Sequence, residues 1–295
     1  MKPIIIFFIF SIFFVGCNSP RSELIICGDD KILIIDEHAS NGKDVKVVWN
    51  WQASDVASQI PEIYQKRLIS MDECKPVDGG KNLLVTSSSG AVLLIERETK
   101  KCLFYAYTPN AHSADVLPGG RIAVALSTNP NGNSIEIYDR NRPEQVLFKD
   151  SLYSGHGAVW NDNRQRFYAL GYDELREYSL VDWNSSSPVL KLEKKWTIPG
   201  RSGHDLSLVS VDELLVSEHY GVHSFDITSE TFSPFEPLKT AENIKSVNYI
   251  KKSQKLVYTI AEESWWTFNI YIKNPDKTIN IPDVKMYKVR LLPSK

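Results

Sequence analysis

Five segments of the chain align without gaps, each running from a polar residue through a turn into an apolar strand core. They are ECKPVDGGKNLLVT from Glu73, HSADVLPGGRIAVA from His112, HGAVWNDNRQRFYA from His156, HDLSLVSVDELLVS from His204 and KSVNYIKKSQKLVY from Lys245. The core falls at the same offset each time, at Val85, Val124, Tyr168, Val216 and Val257, and the starts lie 39, 44, 48 and 41 residues apart. A period of about 40–50 residues carrying several short strands marks the blade of a β-propeller. A β-sandwich would give no reason for five copies at that spacing.

After each core comes a further strand (AVLLIER, SIEIYDR, LREYSL, VHSFD, FNIYIK), and in most repeats an outer one, such as KCLFYAY or VLKLEKKWTI. Ahead of the first repeat, ELIICGDDKILIIDEHASNGKDVKVVWNWQ holds three strands with no polar start, and the C-terminal MYKVRLL supplies the missing fourth. The expected fold is therefore all-β, a single propeller of six four-stranded blades over residues 23–295, closed by strands from both chain ends. Seven blades is the alternative if the outer strands divide differently. A stretch from Ala53 to Leu68 links the first blade to the second and is expected to hold a short helix.

The N-terminus reads separately. Met1-Lys2 precedes an apolar run to Gly16 that is too short for a permanent bilayer span of about 20 residues, so residues 1–16 read as a signal peptide. The run ends Phe14-Val15-Gly16-Cys17, which resembles the bacterial lipobox, although Phe14 stands where Leu is usual. The resemblance implies a lipidated Cys17 at the mature N-terminus and a tether over residues 17–22; multiple acyl chains anchor stably where one does not. Asn18 after the cysteine favours the outer membrane. Cys27, Cys74 and Cys102 remain, an odd number without C-x-x-C spacing, and at most one disulfide can form among them.

With a formal net charge of −2 and scattered Lys and Arg, no basic stripe exists to hold a phosphate backbone, so nucleic acid is not an expected partner. The chemistry, if any, follows from the repeat. Equivalent positions of successive blades ring the central axis, so Glu73, His112, His156, His204 and Lys245 are expected at one mouth of the channel. Three imidazoles there suit general acid–base work, and His112, His156 and His204 together are the candidate ligands of a divalent metal. The bland alternative is a set of polar residues that hydrogen-bond neighbouring blades or water. Aromatic and acidic residues supply candidate substrate contacts: Trp160 beside His156, the cluster Glu262, Trp265 and Trp266, and Tyr172. The last two groups follow the strand cores and are assigned to the opposite mouth or the connecting loops. Trp49 and Trp51 share one strand face and read as packing between blades. His219 and His223 flank Gly221 in a hairpin, so helix-borne zinc logic does not apply to them. No G-x-S-x-G, Walker or G-x-G-x-x-G motif occurs.

The ordered motifs GDDKILIID, VVWNW, PNAHSADVLPGGRIAVA, SGHGAVW, ALGYDELREY, GHDLS, FEPL, IKSVN and AEESWWT resemble a family of bacterial six-bladed propeller lipoproteins with no assigned activity. The resemblance covers nearly the whole mature chain and implies fold and envelope location. In architecture and in its His-rich mouth the chain is also similar to propeller-fold polysaccharide lyases, such as the oligogalacturonate and ulvan lyases, without a residue-by-residue motif match. Two functions are expected in consequence. One is an envelope lyase acting on uronic-acid-containing glycans, metal-dependent or not. The other is a non-catalytic surface module, acting as a monomer, that binds a glycan, a small molecule or a protein.

Overall fold

The computed structural model describes residues 22–292. The apolar leader and Cys17 lie outside the described residues. Six antiparallel four-stranded sheets form the blades of a propeller, as the repeat predicts. Five are consecutive in sequence, with innermost strands Met71–Val77, Ala111–Leu117, Gly157–Asn161, Asp205–Ser210 and Ile244–Ile250. The sixth takes its innermost strand, Met286–Leu292, from the C-terminus and the other three, Glu23–Gly28, Lys31–Asp36 and Val47–Gln52, from the N-terminus. The innermost strands neighbour one another around a closed ring. The Ala53–Leu68 link holds a 3-10 turn at Ala53–Val56 and a helical turn at Glu62–Gln65.

Alternation within the middle strands gives each blade two apolar faces, which pack against its neighbours. Trp51 is fully buried in one such seam with Ile25, Leu83 and Leu93, and Trp49 donates its indole N–H to the Arg97 carbonyl at 2.9 Å. Cys27 and Cys74 are buried, Cys102 is half-buried, and all three are free thiols.

Each innermost strand leaves one edge of its backbone unpaired, within reach of the preceding blade. Buried N–H groups need acceptors, and side chains of the preceding blade supply them. Glu73 accepts from Ala114 N at 3.3 Å, Ser113 from Ala158 N at 3.2 Å, Asp205 from Val247 N at 2.9 Å and Ser246 from Val289 N at 3.1 Å. Closure across the two chain ends depends on Gly28, where an added Cβ would lie 2.1 Å from the Lys285 carbonyl oxygen. Because the obstacle is backbone, Gly28→Ala should lower stability by about 1–3 kcal/mol, read as a shift of the thermal unfolding midpoint.

Candidate functional site

Four of the six innermost strands carry a register shift at their first residues. Such a bulge leaves one residue outside the ladder and re-aims its side chain. The displaced residues are Asp72, His112, Lys245 and Tyr287, and they stand at the channel mouth. The other two blades reach the same level without a bulge, because His156 and His204 immediately precede their strands.

The six side chains close a ring in blade order. Asp72 Oδ1 is 4.0 Å from His112 Nε2, the His112 and His156 rings are 4.4 Å apart, and those of His156 and His204 are 5.7 Å apart. Lys245 Nζ donates to His204 Nε2 at 2.8 Å and lies 5.8 Å over the Tyr287 ring, which returns edge-on to His112 at 5.5 Å. All but Lys245 line a cavity of about 410 Å³, and Lys245 is buried directly behind it, under Trp265 at 5.4 Å.

Two imidazoles have their orientation fixed by main chain. His112 Nδ1 faces the Asn110 carbonyl at 3.1 Å and His156 Nδ1 faces the Ser154 carbonyl at 2.9 Å. A carbonyl only accepts, so Nδ1 carries the hydrogen and Nε2 keeps its lone pair. Burial holds all three rings neutral. It brings His112 down to about 4 and His156 well below the usual imidazole range. His204 falls to about 2 through burial and the adjacent charges of Lys245 and Lys288. Burial, with Lys288 below, also brings Lys245 down to about 7. It pushes Asp72 up to about 7, although the Ser88 N–H, 2.5 Å from its carboxylate, opposes the rise. An acid and an amine therefore both titrate near neutrality at one rim.

Immediately beneath, the channel is stopped by ions. Arg290 grips Asp205 through two hydrogen bonds of 2.9 and 2.6 Å and Glu73 through Nε at 2.5 Å, while Lys288 Nζ lies 3.1 Å from Asp205. Glu73 thus belongs to this plug rather than to the mouth, where its neighbour Asp72 takes the place expected for it. The turn after the Glu73 strand has one residue more than its counterpart after the His112 strand, Val77 pairing with Asn82 but Leu117 with Arg121. A gap-free alignment accordingly slips by one residue.

Other candidates also move. Trp265, Trp266 and Tyr172 line the histidine cavity, because the second strand of every blade returns to the mouth from which the first departed. Trp160 is at the far end of its strand, in a small cleft with Lys75, Asp115 and Arg290 at the opposite mouth. Glu262 bonds Thr267, Asn269 at 2.9 Å and Tyr271, and so holds its own hairpin together. His223 pairs with Glu218 at 3.4 Å and His219 packs on Tyr220, both apart from the ring. Trp266 also borders a second cleft of about 220 Å³, lined by Asp29, Ile69, Ser70 and Lys285.

The three histidines were also candidate metal ligands. Among the described residues, no group of three or more His, Cys, Asp or Glu is set to hold a metal ion. The donor set explains why: the free Nε2 of His204 is occupied by an ammonium. What the ring offers instead is two oriented, unprotonated imidazole nitrogens and a carboxyl in one polar cavity, with the Lys245 amine buried behind its wall, below an aromatic rim that includes Trp265, 62% exposed, and Tyr153, 59% exposed.

Among curated proteins none matches the chain. A family of unknown function, DUF6528, matches residues 25–294, a span that takes in strands of all six blades, and the chain belongs to that family.

Proposed function

We propose that the mouth binds an acidic sugar and acts on it by acid–base chemistry, as a lyase of uronic-acid-containing glycans on an exported, lipid-anchored protein. The observation that carries this reading is Lys245. The residue is 1% exposed and its ammonium, among the described residues, has no carboxylate within 4 Å, its polar contact being the neutral ring of His204. A buried cation without a counter-charge is costly. A carboxylate seated in the cavity would supply that charge.

The aromatic rim suits the apolar faces of sugar rings, and the cleft beside Trp266 leaves room for a chain rather than a single unit. In β-elimination Lys245 neutralises the uronate carboxylate, and an imidazole Nε2, from His112 or His156, takes the proton at the neighbouring carbon. The bond to the leaving glycosidic oxygen breaks as a carbon–carbon double bond forms. Asp72, protonated at or below neutral pH, gives its proton to that oxygen. An anion on Lys245 also raises the imidazoles toward the range of a useful base. A panel of acidic polysaccharides, followed by the ultraviolet absorbance of the unsaturated product, tests the reaction. Turnover of at least one member, lost in His112→Ala/His156→Ala and in Asp72→Asn, is expected. Binding without turnover anywhere on the panel would reduce the mouth to a glycan-binding module.

A further inference from the structure

We infer that the propeller sits on the membrane with the histidine mouth turned outward, the opposite face toward the lipid. This rests on the anchoring of Cys17 proposed above and not on the lyase reading. The first strand fixes where the chain joins the fold. Its start, Glu23, pairs with Leu292, the far end of the innermost strand, whereas its last residue, Gly28, pairs with Met286 at the mouth. The start is pinned to the far face. Arg97, in a far-side turn, holds the Glu23 carboxylate at 2.7 and 2.8 Å, and the Ser22 carbonyl accepts from Glu37 N at 2.9 Å.

Distances then decide the orientation. From Glu23 to Gly28 the strand climbs about 17 Å at roughly 3.4 Å per residue, and the loop bearing Trp265 and Trp266 lies at the mouth end. The five steps from Cys17 to Ser22 span at most about 18 Å when fully extended. Bringing the mouth to the bilayer would use that whole length along the side of a blade and leave no slack. Letting the far face approach uses almost none.

The full-length lipidated protein, in a Cys102→Ser background and reconstituted into phosphatidylethanolamine–phosphatidylglycerol vesicles, provides the test. A fluorophore is placed by Lys252→Cys in an exposed far-side turn or by Asn131→Cys in an exposed mouth-side loop, with an energy acceptor on the lipid headgroups. Transfer from position 252 should exceed that from position 131 several-fold. Equal transfer, or more from 131, overturns the orientation while leaving the anchor. A wild-type chain that carries no acyl mass on Cys17 and does not float with vesicles overturns both.

Discussion

Arg290→Met will unfold the propeller more readily than any substitution at the mouth, by about 3–5 kcal/mol, a fall in Tm of roughly 6–20 °C for a domain of this size. The guanidinium is the shared partner of Glu73 and Asp205, all three buried in the axis of the ring. Methionine preserves the volume but leaves the Glu73 carboxylate without its counter-charge, while Asp205 keeps Lys288 at 3.1 Å. Adding Glu73→Gln to Arg290→Met should therefore return part of the lost stability, which a simple packing defect would not. The pH dependence follows from the same contacts. Burial alone would raise Glu73, but Arg290, Lys75 and Lys288 bring it down to about 2. A carboxyl lowered on folding adds stability above its unfolded value near 4.3, and that stability is lost as the pH falls toward 2. Denaturant unfolding followed between pH 2 and 5 should show a steeper decline for wild type than for Arg290→Met.

Lys245→Met should have the opposite sign. The variant removes an unpaired buried ammonium and keeps its apolar stem, so it should stabilise the protein by about 1–3 kcal/mol while abolishing ligand affinity. The fold holds the Lys245 amine down at about 7, against roughly 10.4 in the unfolded chain. The folded state is penalised wherever the amine is charged in the unfolded chain, fully below pH 7 and progressively less as the pH rises toward 10. The advantage of Lys245→Met should therefore be largest at pH 6 and shrink by pH 9. Gains in stability at the expense of function are the signature of a site residue. Destabilisation at pH 6 would mean that Lys245 serves the blade seam instead.

Much of the architecture was legible because the repeat is regular. The offset of twelve from polar start to strand core recurs five times, and the shortage of one strand at the N-terminus matches the surplus of one at the C-terminus. Four of the six mouth residues, His112, His156, His204 and Lys245, could be read from the same column. Asp72 and Tyr287 could not. Asp72 is hidden by a turn one residue longer than its neighbour's and by a bulge that pushes it, not Glu73, into the mouth. Tyr287 belongs to the blade split between the chain ends, where no gap-free copy exists to align. The residues after the strand cores, expected at the opposite mouth or in the connecting loops, do lie in connecting loops, but antiparallel return brings Tyr172, Trp265 and Trp266 back to the histidines. Pairings that fix charge, such as Arg290 with Asp205, 85 residues apart, leave no periodic trace.

The most direct test of the mouth as an acidic-sugar site is a calorimetric titration with a short oligouronide and with its carboxyl-reduced, neutral counterpart, at pH 6 and pH 9. The account predicts binding of the acid at pH 6, at least tenfold weaker binding of the neutral sugar, weakening of the acid at pH 9 as Lys245 loses its proton, and no such pH effect in Lys245→Met. Equal affinity for the two sugars, or an acid affinity unchanged by Lys245→Met, would contradict it.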